Sequence, residues 1–437
     1  MIVPRTPLLI CFALFALPLA TVATTVAGAL PASLVAMGIF VLALAVDGWG
    51  ARVLLAGISL DLPPIVRLQR DRDGSIPANV HKSKEPARTI RFGLAFPREA
   101  GSASGELLVT LPSGAENLSL SWACHPTTRG QYLLTRYFLE TNSRLGFWAF
   151  RDCRPAACEL RVYPNFLDER KHVAALFLNR GHLGIHSQRR AGKGRDFEKL
   201  REYIPGDSYD EIHWKASAKR GRPVTKVYQV ERTQEVYVIL DASRLMARDK
   251  SIFERYITAG LLLGIAAEQQ GDSFGMVAFS DRVLHFARAA SGKAQFHVCR
   301  DMLYALQPRS VTPDFDDLAS FIRTRLRKRA LLVYLTALDD PAIGESFLHA
   351  IDLICRQHLI LVNMLCPKLA QPLFSGAPAA STDDIYTKLG GHLLWQDLRE
   401  LGKVLQRRGV EFSLLEKETL STRLVSQYVN IKAMQLI

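Results

Sequence analysis

The N-terminal part of the chain contains a long uncharged stretch. No Asp, Glu, Lys or Arg occurs in Thr6–Val46, a run of 41 residues. A helix needs about 20 apolar residues to cross the hydrocarbon layer of a bilayer, so the run is long enough for two spans. The sequence TTVAGALP supplies the Gly and Pro of a tight turn between them. We therefore predict a transmembrane hairpin over residues 1–52, with spans at about 7–25 and 30–46.

The charges that flank this hairpin favour one orientation. Arg5 precedes the first span and Arg52 follows the second, whereas the turn between the spans carries no charge. Because Lys and Arg accumulate in the cytoplasmic flanks of membrane spans, we predict that both termini and the soluble domains are cytoplasmic. The alternative is a cleaved signal peptide for the first span. It is disfavoured because the apolar part is too long and a second span follows at once.

The overall charge of the chain is strongly basic. Lys and Arg total 55 against 42 Asp and Glu, which gives a formal net charge of +13. Such an excess is typical of nucleic-acid binding or of a protein beside an anionic cytoplasmic leaflet. The sequence has neither a Cys/His zinc spacing nor an Arg-rich helix with interleaved aromatic residues. We therefore predict a lipid bilayer, and no nucleic acid, as a partner. The 7 scattered Cys favour a reducing compartment.

Residues 53–167 are predicted to form an all-β, sandwich-like domain. Short runs of alternating apolar residues are separated there by Gly, Pro and Asn, which is typical of strands and turns. The six clearest strands are TIRFGLAF, GELLVTLP, NLSLSWAC, QYLLTRYFLE, LGFWAF and CELRVYP. The stretch CRPAAC, Cys153–Cys158, is predicted to be a loop whose two thiols are bystanders. A small closed loop and a metal site are the alternatives.

Residues 234–437 predict an α/β domain. The near-continuous apolar runs EVYVILDAS, SFGMVAFS, ALLVYLTA and LILVNMLCP are typical of strands buried on both faces, RVLHFA is a hairpin partner, and VEFSLLE is a last strand. Helical patterns alternate with these strands and end in a closing helix over Thr419–Met434. This order predicts a doubly wound, mostly parallel sheet covered by helices on both faces. In such sheets the functional crevice lies beyond the carboxyl ends of the strands.

Three loops are predicted to meet at that edge of the sheet. They are DASRL (Asp241–Leu245), RSVTPD with Ser310 and Thr312, and TALDD with Thr336, Asp339 and Asp340. Carboxylate and hydroxyl oxygens suit a hard cation such as Mg²⁺. The alternative is that the Asp and Ser of the first loop only cap a helix, which leaves a protein-binding edge without an ion.

A strand ending in D-x-S-x-S, followed by a Thr and an Asp from later loops, resembles the metal-ion-dependent adhesion site of von Willebrand factor A domains. The resemblance implies Asp241, Ser243, Thr312 and Asp339 as metal ligands. Leu245 stands where that site has a second Ser, so the site is degenerate. Thr312 matches its position only loosely.

The segment Gly194–Ser243 resembles the signature of a bacterial family, domain of unknown function fifty-eight. The matching elements are LREY, PGD, I-x-W-K-A-S-A and the following strand with its Asp; TTRGQYLL, RLGFWAFR and SQYVNIKA also resemble that family. The resemblance implies a von Willebrand factor A-like domain, two N-terminal spans in the bacterial inner membrane, and a MoxR-type AAA+ ATPase as partner. His213 departs from the pattern, because an Asp commonly precedes the Trp there.

The charged signature segment, residues 168–233 with a connecting helix, has two interpretations. The favoured one is an interdomain clamp in which Trp214 is the apolar anchor of a polar network. Its members are Arg201, Tyr203, Gly206, Asp207, His213, Trp214 and Lys215. The alternative is a metal-assisted hydrolase that uses Asp207, Asp210 and His213, which would have to line one open pocket.

The predicted function is therefore a membrane-anchored protein-interaction component and not an enzyme. In this prediction it works with a MoxR-type ATPase in the assembly or maturation of a complex. The metal-assisted hydrolase is the alternative. A third option is a basic membrane-surface scaffold without a specific partner, which would bind anionic lipid in a salt-dependent way.

Overall fold

The computed structural model describes residues 1–26, 28–50, 55, 57–82, 88–101, 105–112, 117–166, 191–204, 209–229, 234–373, 375 and 381–434. The chain divides into two compact units, Met1–Asn165 and Phe166–Ile437. The predicted hairpin and β domain both fall in the first unit. The signature segment and the α/β domain fall in the second. The connecting helix predicted near residues 168–178 lies outside the described residues.

The first unit begins with a short strand and two long apolar helices. The strand β1 is Ile2–Pro4. The helix α1 is Thr6–Thr25 and contains a π-helical turn at Phe12–Ala16. The helix α2 is Leu30–Gly50. Most of their large apolar side chains are exposed. Two helices long and apolar enough to cross a bilayer are therefore present.

The remainder of the first unit is made of two antiparallel arrangements of strands. The strands are β2 Ile58–Asp61, β3 Ile65–Gln69, β4 Gly74–Lys82, β5 Arg88–Leu94, β6 Glu106–Leu111, β7 Asn117–Cys124, β8 Gly130–Asn142 and β9 Trp148–Tyr163. One sheet has the order β1-β9-β8-β5-β6, with β3 parallel to β9, and the other has the order β2-β4-β7. Both sheets contribute to one hydrophobic core, as the predicted sandwich-like architecture requires.

The alternation of the sequence places this core. In NLSLSWAC the Ser side chains of β7 are exposed, whereas Trp122 and Cys124 are buried. Trp122 shares the core with Phe92 of β5 and Leu139 of β8. A period of two residues thus separates the apolar face of the strand from its polar face.

The predicted loop at CRPAAC is wrong, because β9 runs through it without interruption. Cys153 and Cys158 pair with Phe138 and Leu134 of β8, and Cys153 is exposed while Cys158 is buried. Both are free thiols. The ladder shifts register opposite this stretch. Such a bulge tolerates a Pro, which cannot donate to the ladder.

The second unit is built on a parallel sheet. Its elements are β12 Glu235–Asp241, α4 Arg244–Ala247, α5 Lys250–Gln269, β13 Ser273–Phe279, β14 Val283–Ala290, α6 Lys293–Leu303, α7 Phe315–Arg325, β15 Leu331–Leu335, α8 Pro341–Asp352, β16 Leu359–Leu365, α9 Thr382–Arg407, β17 Glu411–Leu415 and α10 Leu420–Ala433. They are preceded by β10 Ala191–Glu202, α3 Trp214–Arg220 and β11 Val224–Gln229.

The strand order of this sheet is β14-β13-β12-β15-β16-β17. All neighbours are parallel except β14, which is the predicted antiparallel hairpin partner of β13. The middle strands are buried on both faces, and their side chains form one core with the helices. The predicted mixed α/β sheet is confirmed. Its central strand, β12, has β13 on one side and β15 on the other, so the chain reverses direction across the sheet at this strand.

The C-terminal helix α10 is fixed to the sheet by a buried polar network. Asp272, between α5 and β13, accepts hydrogen bonds from the Tyr428 hydroxyl and from Lys432 Nζ at 2.8 Å. The other carboxylate oxygen accepts the Gln234 N–H at 3.2 Å. Tyr428 and Lys432 belong to the motif SQYVNIKA. The motif therefore holds the last helix in place, at the end of the sheet opposite the carboxyl edge.

Candidate functional site at the carboxyl edge of the sheet

The carboxyl edge of the parallel sheet is organised around Asp241. This residue ends the central strand β12, and Thr336 follows the neighbouring strand β15. The Thr336 hydroxyl donates to Asp241 Oδ2 at 2.6 Å, and the Ser243 N–H donates to Asp241 Oδ1 at 2.8 Å. All three residues are fully buried. The link between β12 and β15 lies where the strand order reverses, which is the usual position of a functional crevice in α/β sheets.

The second predicted loop joins the first through the backbone. The Arg244 N–H donates to the Val311 carbonyl at 2.8 Å, and the Arg309 N–H donates to the Ala242 carbonyl at 2.7 Å. Together with the Thr336 bond, these contacts bring all three predicted loops to one edge. The prediction that they converge is therefore confirmed.

Burial controls the protonation chemistry of Asp241. Loss of water raises the pKa of this carboxyl above its ordinary value, although the hydrogen bonds from Thr336 and Ser243 act in the opposite direction. Ser243 Oγ is also engaged, since it accepts the Leu245 N–H at 3.4 Å at the start of α4. The first loop thus uses its polar atoms to hold its own conformation, as the helix-capping alternative predicts.

The other two predicted ligands are arranged differently. Thr312 is exposed. Asp339 lies 3.9 Å from the guanidinium of Arg248, the residue directly after α4, measured between Oδ2 and Nη1. Leu245, which stands in place of a hydroxyl, is buried. Within the described part of the chain, no group of three or more His, Cys, Asp and Glu is placed to hold a metal ion.

These observations fit a Mg²⁺ ion poorly. Each oxygen of the Asp241 carboxylate already accepts an internal hydrogen bond, and a cation beside Asp339 would have to displace the Arg248 side chain. Metal binding by Asp241, Ser243, Thr312 and Asp339 therefore stays a prediction.

The sequence does not predict this role of Thr336. It puts Thr336 in the third loop, but the ligand that it predicts from that loop is Asp339. The available signal was position, because Thr336 is the first residue after the buried strand that neighbours β12. Side chains at the same height on adjacent parallel strands lie close together, so it is well placed to reach Asp241.

A concave cavity of about 650 Å³ opens near this edge. It is lined by Arg282, Val283, Leu284, His285, Ala305, Leu306, Gln307, Pro308 and Arg309. Arg282, His285 and Arg309 are exposed, and no Asp or Glu is among these lining residues. Asp281 is adjacent to the cavity. The hydrogen bond that it accepts from the Ser280 hydroxyl is the largest cause that lowers its pKa, and the charges of Arg282 and Arg309 lower it further. Two guanidinium groups against one carboxylate leave this cavity net positive.

The signature segment forms a small structure of its own. The strands β10 and β11 pair antiparallel, and Tyr203 stacks on Tyr209 with ring centroids 6.2 Å apart. His213 caps α3, because its Nδ1 accepts the Ala216 N–H at 3.1 Å. Asp is a preferred N-cap residue, and His213 uses a ring nitrogen where an Asp uses a carboxylate oxygen.

The predicted interdomain network of the signature segment stays a prediction. Gly206 and Asp207 lie outside the described residues. Arg201 is half-buried and Lys215 is exposed. Trp214 is 69% exposed, which does not support its predicted role as an apolar anchor.

The hydrolase alternative finds little support in the described residues. Asp210 is exposed, and His213 Nδ1 is used by the helix cap. Neither residue lines the cavity near Arg282 and Arg309. The third member of the set, Asp207, is not described.

The comparison with protein families identifies the segment that carries this edge. Residues 199–372 match the family described as "Protein of unknown function DUF58". The matched segment contains most of the signature and the sheet from β12 to β16, and so includes Asp241 and Thr336. The predicted resemblance to this family is confirmed for these residues.

Known proteins and solved structures add only distant likenesses. No curated protein matches the chain. Two structures of proximal thread matrix protein 1 (PTMP1) from the mussel byssus are similar at 14% and 12% identity. They cover 44% of this chain and 44% and 46% of that chain, with TM-scores of 0.26 and 0.27. The chain thus spans less than half the length of those mussel structures. The conserved hypothetical protein BatB from Bacteroides thetaiotaomicron is 13% identical and covers 46% of this chain and 99% of that chain, with a TM-score of 0.29.

Proposed function

We propose that this DUF58 protein is a membrane-anchored interaction component that binds a protein partner at the carboxyl edge of its parallel sheet. The observation that carries the proposal is the joining of three loops around Asp241, one through its carboxylate and one through the backbone beside it, where the strand order reverses. A rigid edge built from loops of different strands suits recognition, because binding residues placed on a fixed scaffold lose little freedom on binding.

The finer fold assignment belongs to this proposal. The order β14-β13-β12-β15-β16-β17, with a single antiparallel edge strand, supports a von Willebrand factor A-like domain. The D-x-S sequence after the central strand supports the same assignment. In this chain the internal hydrogen bonds of Asp241 would replace the ion of a complete adhesion site.

The proposed partner is a MoxR-type AAA+ ATPase, on the resemblance to the family. The cavity beside Arg282 and Arg309 supports a partner segment that presents a carboxylate, because guanidinium groups bind carboxylates through paired hydrogen bonds. The chain would then help this ATPase in the assembly or maturation of a complex.

The proposed location is the bacterial inner membrane, with the soluble units in the cytoplasm. The lengths of the spans Thr6–Thr25 and Leu30–Trp49 support anchoring, as do their exposed apolar side chains. Arg5 and Arg52 in the flanks support the cytoplasmic side.

A capture experiment tests the partner and the edge together. The full chain in detergent is immobilised and exposed to a purified MoxR-type ATPase from the same organism. Arg309→Glu places a negative charge in the cavity and should weaken capture at least about tenfold, equivalent to ~1.4 kcal/mol. Arg327→Glu is the matched control, because Arg327 is also exposed but precedes β15 at the opposite end of the sheet.

Each outcome of this experiment has a distinct meaning. Selective loss in Arg309→Glu supports the edge as the binding surface. Equal capture of both variants and the unmodified chain rejects the edge. Absence of capture by the unmodified chain rejects the ATPase as the partner.

A further inference from the structure

Both ends of the helical hairpin are hydrogen-bonded to one turn of the β unit. This turn, Ser143–Phe147, connects β8 to β9. Before α1, the Arg5 N–H donates to the Phe147 carbonyl at 2.9 Å. Near the end of α2, Asp47 Oδ1 accepts the Leu145 N–H at 3.0 Å. The turn therefore touches the chain where it enters the hairpin and where it leaves it.

Trp148, directly after the turn, adds a third attachment. Its indole Nε1 donates to the carbonyl of Leu44 in α2 at 3.0 Å. The indole also packs against Gly48, where a Cβ would lie 3.5 Å from Nε1. Strand β1 continues the attachment, since Val3 pairs with Ala149 of β9.

The residues of the turn fix its conformation. Gly146 has a φ of +81°, a backbone conformation that L side chains rarely adopt. The Ser143 hydroxyl accepts the Trp148 N–H at 3.0 Å, which closes the turn internally. Asp47 is buried and reaches the turn through its side chain. Contacts at the start of α1 and near the end of α2 thus fix the hairpin to the β unit.

The length of the two spans sets the position of this turn relative to the bilayer surface. Each span has 20 residues. At ~1.5 Å per residue it is about 30 Å long, which equals the hydrocarbon thickness of a typical bilayer. No helical length remains to hold the ends away from the membrane. Arg5 and Asp47 must then lie at one bilayer surface, and the turn bonded to both must lie there too.

The exposed residues around the turn have the composition of a membrane interface. Leu145 is 62% exposed and Trp49 is 82% exposed. Arg144, the residue before Leu145, is also exposed, whereas Ser143 is buried. Trp and Leu favour the boundary between headgroups and acyl chains, and Arg favours the phosphate level, where anionic lipids attract it.

We propose that the turn Ser143–Phe147 is a lipid-contact element, in which Leu145 enters the bilayer interface beside Trp49 and Arg144 lies at the level of the lipid phosphates. The inference rests on the proposed membrane anchoring of the hairpin. It adds that the β unit lies directly on the membrane surface with this turn against the lipid.

A site-specific fluorescence experiment tests this contact. A genetically encoded fluorescent amino acid replaces Leu145 in the full chain, reconstituted in nanodiscs of phosphatidylcholine and phosphatidylglycerol. Its emission should be quenched by lipids with a doxyl group near the headgroup and shielded from aqueous iodide. The matched control carries the same amino acid at Leu133, which is 63% exposed. Leu133 lies in β8, whose last residue, Asn142, directly precedes the turn. At ~3.4 Å per residue Leu133 is about 30 Å along the strand from Asn142, so the control position is far from the turn.

The outcomes separate this inference from the anchoring on which it rests. Doxyl quenching several times stronger at position 145 than at position 133 supports the lipid contact. Equal quenching by iodide at both positions overturns it, and so does shielding of position 145 from both quenchers, which would mean contact with protein. Flotation of the unmodified chain with vesicles is measured in parallel. A chain that does not float contradicts the proposed anchoring itself.

Discussion

Replacing Thr336 by Val tests the central bond of the carboxyl edge. The variant keeps nearly the same side-chain volume but removes the hydroxyl that donates to Asp241 Oδ2 at 2.6 Å. Both residues are fully buried, so water cannot replace the lost donor. A hydrogen bond to a charged group contributes about 1.5–3 kcal/mol. We therefore expect a loss of about 2 kcal/mol in the local free energy of unfolding of β12 and β15 when Asp241 is ionised.

The loss should depend on pH, and its sign follows from the pKa of Asp241. Burial raises the folded-state pKa of this carboxyl above its unfolded value, and removal of the Thr336 donor should raise it further. Above that pKa, the folded variant holds a buried carboxylate with one donor fewer. As the pH falls through the folded pKa the carboxyl binds a proton, and the penalty decreases. The deficit of the variant should therefore be larger above the folded-state pKa of Asp241 than below it, so it should shrink as the pH falls.

Hydrogen exchange followed by mass spectrometry is the suitable assay, because it reports local opening in a chain with several units. A loss of 2 kcal/mol corresponds to about 30-fold faster exchange of the amides in β12 and β15. Thr258→Val is the matched control. Thr258 is also buried, but its hydroxyl donates to the Glu254 carbonyl within α5, so its effect should be small and independent of pH. Equal effects of the two variants, or a deficit that grows in acid, would refute the reasoning.

Two further predictions concern buried polar groups of the same domain. Asp272→Asn should destabilise the docking of α10 by about 2 kcal/mol, because Lys432 loses its buried counter-charge and Tyr428 its charged acceptor; exchange in α10 measures this. His358 is buried, and burial lowers its pKa to about 4. Since the unfolded-state pKa is about 6.5, stability should fall as the pH drops from about 6.5 to about 4, by up to roughly 3 kcal/mol. His358→Phe should remove this pH dependence in a thermal melt.

Matched variants keep both predictions open to contradiction. Asp301→Asn removes a partly exposed ion pair with Arg300 and should cost less than about 1 kcal/mol. An equally small effect of Asp272→Asn would mean that the buried network does not hold the helix. His285→Gln changes an exposed His and should leave the acid dependence unchanged. An identical acid transition in His358→Phe would exclude His358 as its origin.

The pattern of apolar residues was sufficient to predict most of the secondary structure. Buried strands such as EVYVILD and LLVYL, and the helices between them, follow from the periods of two and of 3.6 residues. The failure at CRPAAC has a physical cause. A Pro flanked by polar and small residues resembles a loop, but a bulge in the ladder opposite lets the strand continue through Pro155.

The candidate site was predictable in position but not in its contacts. The sequence placed polar residues after buried strands, and parallel strands bring such residues to one edge. It did not show that Thr336, and not Asp339, would reach Asp241. Nor did it show that His213 would cap α3. Both depend on the direction of individual side chains, which is decided by packing.

The sequence by itself determined that this chain has an apolar hairpin, a β unit and a parallel α/β sheet with a polar carboxyl edge. These features follow from local periodicity and from the order of strands and helices. Only the tertiary structure decided that Asp241 is buried with both oxygens bonded. Only the tertiary structure decided that the turn Ser143–Phe147 holds both ends of the hairpin. Those contacts join residues far apart in the chain, and no local pattern records the free energy of burying them together.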